Sequence, residues 1–379
     1  TMKEKNNKIL ILTGDAGLGH RSAAEAIRDA FKNDHGEQCK VSIENPFNHP
    51  DIPDFIRESQ SNYDDIVKEM PEIYEFAYDI SDSDFPVTLL EGGFTLLLFR
   101  VLREILKGFN PDLVITTYPI YPAPLSVISQ VEDMSFPWIT VVTDLVTVHH
   151  VWFNNNATIC TVPTEAVKEI ALDSGFKPEQ IINTGIPVDP KISFLKQTKK
   201  EAVRRSLGWD QERRTLLVVG SPRVKSLMAI IQALDETSHD FQFALVAGGD
   251  DDLYHTFKEA KMAHPRKVYN FVDNLPEMMR ASDMIICKAG GLIVTESLAS
   301  GLPMMLVNML PGQEEGNVDY VMEHKAGVYC DIPEEAKMTL EDWLDDEVGV
   351  LQKIAKNAEK IGRPNAAREI VTLAWNLLN

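Results

Sequence analysis

Three stretches of the chain join glycines to side chains that move protons or hold anions. The first is GDAGLGHRS (14–22), which follows an apolar run and opens a helical pattern. Gly14, Gly17 and Gly19 permit a tight turn and close approach of a ligand to the backbone. The helix start beyond them offers unpaired N–H groups and a partial positive charge. His20 lies in that turn, and a loop histidine titrates near neutral pH and can take a proton from a hydroxyl. A purely structural turn is the competing reading, and this motif alone does not choose between them.

The second stretch is AGGLIVTESLASGLP (289–303), directly after MIICK. Gly290 and Gly291 end a strand and open a helix, an anion site suited to a diphosphate. Glu296 falls one turn inside, where a carboxylate can accept both hydroxyls of a ribose. A first-turn acid favoured by the helix dipole is the plain alternative. Gly301-Leu302-Pro303 reads as a helix stop. The third stretch, PGQEEGNVDYV (311–321), clusters Gln313, Glu314, Glu315 and Asn317. Amides and carboxylates together suit sugar hydroxyls, which both donate and accept. Helix capping is the alternative there.

The elements that must position these groups follow a βα rhythm. Strands are predicted at 8–14, 40–44, 112–117, 138–144 and 157–162, then at 214–220, 241–249, 267–272, 284–288, 303–308 and 327–331. Most are near-continuous apolar runs, as in parallel strands buried on both faces. Helical patterns follow many of them, which is the alternation of doubly wound α/β sheets. The rhythm restarts at Arg214 after a charged stretch. Two Rossmann-like domains are therefore predicted, 1–190 and 191–361, with a terminal helix over 362–379 that crosses back to the first domain. Residues 45–111 lack the rhythm and read as a helical insertion. Two such sheets place the ligand in the cleft they share.

Length and composition agree. The 379 residues suffice for two cores, and 44% are hydrophobic. Net charge is −20, which argues against nucleic acid as a partner. Cys39, Cys160, Cys287 and Cys330 have no metal-ligand spacing and read as free thiols in a reducing compartment. KILIL near the start is too short for a signal-peptide core, so a cytoplasmic location is expected. The apolar stretch 85–109 is broken by Glu91, Arg100, Arg103 and Glu104, so it does not span a membrane. It reads either as a helix docking peripherally on a membrane surface or as an ordinary core helix.

Taken in order, these motifs resemble the inverting glycosyltransferases of GT-B fold. That group includes monogalactosyldiacylglycerol synthases, processive diacylglycerol glucosyltransferases and, more distantly, the peptidoglycan N-acetylglucosaminyltransferase. GDAGLGHRSAAEAI, TDLVTVHHVWF (143–153), and KAGGLIVTESLASGLP with PGQEEGNVDYV carry the likeness. The resemblance implies transfer of galactose or glucose from a UDP-hexose to diacylglycerol, giving a β-glycolipid. It implies His20 as base, Asp144 as its rival, and Asp15, Asp144 and His149 on the acceptor side. Gly19, Ser221 and Arg223 are expected on the donor side, Arg223 supplying charge to the phosphates where the loop departs from its relatives, and Phe271 and Val272 match the uracil-reading loop. Gly290, Gly291, Leu292 and Ile293 would hold the diphosphate, and Glu296 the ribose. Gln313 and Glu314 would hold the hexose, with Asn317 beside them. No metal or other cofactor is expected. Two departures are visible: GSPRVKS (220–226) is poorer in glycine than its counterparts, and Leu292-Ile293 replaces a threonine. A UDP-N-acetylglucosamine epimerase and a non-catalytic UDP-sugar binder on the same fold are the alternatives.

Overall fold

The apolar runs of both halves become parallel strands. The computed structural model describes residues 6–15, 19–52, 98–131, 134–221, 224, 226–345 and 349–379. The chain divides into two compact units, Thr1–Pro190 with Asn365–Asn379, and Lys191–Pro364.

The first unit carries β1 (Asn7–Leu12), β2 (Cys39–Glu44), β3 (Leu113–Thr116), β4 (Trp138–Val141), β5 (Ile159–Val162) and β6 (Ile181–Asn183). They form one six-stranded sheet in the order β2-β1-β3-β4-β5-β6, all parallel. Ile9, Ile11, Ile115 and Val141 point to one face and Leu10, Leu12, Val114 and Val142 to the other, all fully buried. That two-sided burial explains why these strands read as continuous rather than alternating apolar runs. β6 was not predicted. It is three residues long, and IIN before TGIPVDP looks like part of a turn.

The second unit carries β7 (Arg214–Val219), β8 (Phe241–Val246), β9 (Arg266–Tyr269), β10 (Met284–Cys287), β11 (Met304–Leu306) and β12 (Gly327–Tyr329). Its order is β12-β11-β10-β7-β8-β9, again all parallel. Each predicted strand is present, shorter at its carboxyl end, where the chain turns away from the sheet to form the ligand-facing loops.

The terminal helix Ala366–Leu378 belongs to the first unit. Its Ala367, Ile370, Val371 and Ala374 share one core cluster with Ala24, Ile27 and Phe31 of the helix Gly19–His35. Arg368 makes a bidentate pair with Asp34, and Trp375 stacks on His35 at 3.7 Å between centroids.

Within the stretch 85–109, residues 85–97 lie outside the described residues. Residues 98–109 are helical. Leu98, Val101, Leu102 and Leu106 are buried in the same core as Leu10, Val114 and Trp138. Arg100, Glu104 and Lys107 face outward. The described part of this helix thus keeps its apolar face for the protein core, not for lipid.

Two glycines give a matched test of packing. A Cβ on Gly362 would sit 2.1 Å from the carbonyl oxygen of Leu298, whereas one on Gly108, in the helix 98–109, meets nothing within 4 Å. Gly362→Ala should destabilise by about 1–3 kcal/mol through overpacking. Gly108→Ala should instead stabilise by about 0.5–1 kcal/mol, by lowering the entropy of the unfolded chain. Denaturant titration of both variants checks the opposite signs.

Candidate functional site

In the first sheet the strand order reverses between β1 and β3. Ligands of open α/β sheets bind outside the carboxyl ends of the strands at such a point. Thr13 and Gly14 leave β1 there, and Thr117 and Tyr118 leave β3 beside them. His20, at the start of the helix Gly19–His35, reaches back to this edge. Its Nδ1 lies 2.7 Å from the Thr143 hydroxyl, just past the end of β4. Its ring meets Tyr118 edge-on at 4.9 Å and lies 6.0 Å from Trp152. The fully buried Trp152 donates its indole N–H to Asp144 at 2.7 Å.

These surroundings set the charge of His20. Burial lowers its pKa. The negative charge of Asp144 and a hydrogen bond with the Thr117 backbone raise it, and burial wins. The ring is therefore neutral at neutral pH, the state a proton acceptor needs. Asp144 is close enough to act on His20 through its charge, but it is anchored to Trp152.

Asp15 and His149 are held differently. Asp15 takes a bidentate pair from Arg21 and a 2.7 Å hydrogen bond from Asn45. Partial burial pushes its carboxyl up. The hydrogen bonds and the guanidinium charge outweigh that and hold it below the usual range. His149 accepts the Val151 backbone N–H at its Nδ1 and so caps the short turn His150–Trp152. That turn places Trp152 against Asp144.

The second sheet reverses between β7 and β10. At that point Gly220 and Ser221 leave β7, and Lys288, Ala289 and Gly290 leave β10. Gly290 is the N-cap of the helix Gly291–Ser300, so the first N–H groups of the helix have no carbonyl of their own turn to meet. Leu292, Ile293 and Glu296 are half-buried on that helix, which ends at Gly301 in the left-handed conformation, φ 70°. Asn317 donates to the Ala289 carbonyl at 2.9 Å and steadies the turn from below.

Glu314 is only 6% exposed and both its oxygens are engaged. One pairs with Lys288 Nζ and the other accepts the Leu310 N–H at 2.8 Å. A Cβ on Gly290 would come within 3.1 Å of that same Lys288 Nζ. Glu314 therefore braces the lysine beside the turn at Gly290. Gln313 beside it is half-buried. Phe271 is 71% exposed after β9, next to Val272, and its ring faces Gly249. Ser221 is described, while Arg223 and Lys225 lie outside the described residues. Gly19 is the first residue of its helix, and Gly17 lies outside the described residues.

Comparison with known proteins decides the family. Residues 20–188 match the family described as monogalactosyldiacylglycerol (MGDG) synthase, and residues 215–371 match the glycosyltransferase family 28 C-terminal domain. A probable monogalactosyldiacylglycerol synthase, chloroplastic, of Glycine max is 31% identical over 97% of this chain and 71% of its own length. The chain belongs to the monogalactosyldiacylglycerol synthase family. The corresponding enzyme of Spinacia oleracea is likewise 31% identical, over 97% of this chain and 72% of its own. As a member of this family the chain is a UDP-sugar-dependent hexosyltransferase. Among solved structures, MurG of Acinetobacter baumannii has a TM-score of 0.61 at 14% identity, covering 98% of this chain and 99% of that one. The S. aureus MnaA–UDP structure has 0.62 at 13%, covering 98% and 97%. These likenesses show the GT-B fold.

For this glycosyltransferase the described residues hold one group with metal-ligand geometry. Ligand atoms of His49, Asp51 and Glu104 lie within 4.8 Å of one another. Arg100 already pairs with both carboxylates, each at 3.2 Å, so the group reads as a surface ion-pair cluster. Burial pushes the thiols of Cys160 and Cys287 up to about 12, which makes them inert packing groups. No helix among the described residues is long and apolar enough to cross a membrane.

Sequence reasoning missed Thr13, Thr117, Thr143, Tyr118, Trp152 and Lys288. Their common signal was position: each sits at or just past the carboxyl end of a strand, or in TDLVTVHHVWF. The Lys288–Glu314 brace can be tested directly. Glu314→Gln keeps an acceptor for the Leu310 N–H but leaves Lys288 without its counter-charge. A stability loss on the order of 1–3 kcal/mol is expected, read by denaturant unfolding, with weaker UDP binding by calorimetry.

Proposed function

We propose that this chain transfers galactose from UDP-galactose to the free hydroxyl of diacylglycerol in a single displacement that inverts the anomeric carbon. His20 Nε2 takes the hydroxyl proton as the acceptor oxygen attacks. The bond from the anomeric carbon to the UDP oxygen breaks, and UDP leaves as the anion. An α-linked donor then gives a β-galactoside. The N–H groups at the start of the helix Gly291–Ser300 meet the growing charge on the diphosphate. No metal is invoked.

The observation that carries this reading is the state of His20: half-buried, neutral, and held at the switch point of its sheet. Asp144 then acts through its charge, favouring the imidazolium that forms as the proton arrives. Glu296 is proposed to take the ribose, Gln313 the hexose, and Phe271 with Val272 the uracil. Galactose and diacylglycerol are proposed from the names of the relatives. Because diacylglycerol resides in a bilayer, the chain must meet a membrane surface during turnover, and peripheral docking is part of the proposal.

UDP-galactose with diacylglycerol vesicles should yield monogalactosyldiacylglycerol, at a rate unchanged by EDTA. UDP-glucose used equally well would refute the donor assignment. His20→Ala should lower kcat by about 100- to 10,000-fold, the usual scale of general-base help.

The pH dependence has a definite sign. The ring accepts a proton only while neutral, and burial holds its pKa below the ordinary 6.5. The rate should therefore stay level somewhat below pH 6.5 and fall as pH drops through the His20 value. Asp144 raises that value, so Asp144→Asn should move the acid limb to lower pH. A kcat profile of both proteins reads the shift, and movement in the other direction rules out the charge coupling.

A further inference from the structure

We infer that Thr143 is a positioning residue that fixes His20 in the tautomer protonated at Nδ1, so that Nε2 carries the lone pair and alone can receive the acceptor's proton. The inference rests on the reading of His20 as the base.

The argument is one of donors and acceptors. A threonine hydroxyl has one hydrogen and two lone pairs. The Thr143 hydroxyl has two neighbours, His20 Nδ1 at 2.7 Å and the Thr117 carbonyl oxygen at 3.5 Å. A carbonyl only accepts. With the Thr143 hydrogen turned toward Thr117, its oxygen is left to accept from Nδ1–H. The reverse arrangement, with Thr143 donating to Nδ1, strips that carbonyl of the hydroxyl donor among fully buried Thr117 atoms. It also puts the proton on Nε2, where it blocks base catalysis. Buried polar groups settle in the arrangement that satisfies both.

The backbone of His20 is tied to the same strand ends. The Thr117 hydroxyl lies 3.0 Å from both the His20 carbonyl oxygen and the Thr13 hydroxyl. Two threonines just beyond β3 and β4 therefore hold the main chain and the ring of one residue, and Thr13 beyond β1 supports the first of them. The carboxylate that stands in for Thr143 in many histidine bases is present next door, but Asp144 is turned to the Trp152 indole at 2.7 Å. Direction and charge are thus divided: Thr143 orients the ring and Asp144 acts through space.

The test is nitrogen NMR of the full chain labelled with 15N-histidine, recorded where the ring is neutral, alongside kcat. Wild type should show a protonated Nδ1 and a lone-pair Nε2 for His20, assigned by its loss in His20→Ala. Thr143→Val should mix the tautomers and lower kcat on the order of 10- to 100-fold, part of the general-base contribution, with little change in KM. Thr143→Ser should restore the wild-type spectrum and most of the lost rate. A wild-type His20 protonated at Nε2 overturns the inference, whatever the activity of His20→Ala. So does a Thr143→Val spectrum identical to wild type. If Thr143→Val does not fold, the wild-type and Thr143→Ser spectra still decide. Full activity in His20→Ala would instead sink the base assignment and leave the tautomer result standing.

Discussion

A parallel sheet covered on both faces satisfies its backbone groups everywhere except at the two ends of its strands. In each unit of this chain the strands are short and apolar, so polar chemistry is driven to those ends. The carboxyl ends gain more because helices start there, with unpaired N–H groups and the positive end of the dipole. His20 and Gly291 occupy equivalent places in the two units. Each begins a helix just after a strand that borders the reversal of strand order.

Within the first unit that constraint gathers side chains distant in sequence. Thr13, His20, Thr117 and Thr143 come from three strand ends and one helix start. Burial keeps the imidazole neutral, and the hydrogen bond with Thr143 gives it a direction. Trp152 and His149 serve this arrangement indirectly. His149 caps the turn that seats Trp152, and Trp152 holds Asp144, whose charge acts on His20. Asp15 belongs to the same neighbourhood, yet its carboxylate is occupied by Arg21 and Asn45 and shapes the loop.

The second unit presents a helix start at the equivalent place. Its helix start at Gly290 has room only because the residue lacks a side chain, since Lys288 Nζ lies where a Cβ contact would fall. Glu314 neutralises that lysine and at the same time pins the loop at Leu310. The motif points to the hexose for this acid. Its burial and its two hydrogen-bonded oxygens make it a brace for the loop as well.

The sequence by itself determined the doubly wound α/β class, eleven of the strands, the glycine turns and the family. Each of these depends on local periodicity or on contiguous motifs. It also singled out His20, because a histidine in a glycine-rich strand-to-helix turn is a local feature. Only the tertiary structure decided what surrounds it. Thr117 and Thr143 are 97 and 123 residues away from His20, and nothing in TTY or VVTD announces a hydrogen bond across that separation. The same holds for Glu314 and Lys288, 26 residues apart. Helix and strand patterns reflect neighbours along the chain, whereas the protonation and direction of a side chain reflect neighbours in space, and the order of strands in the sheet chooses those.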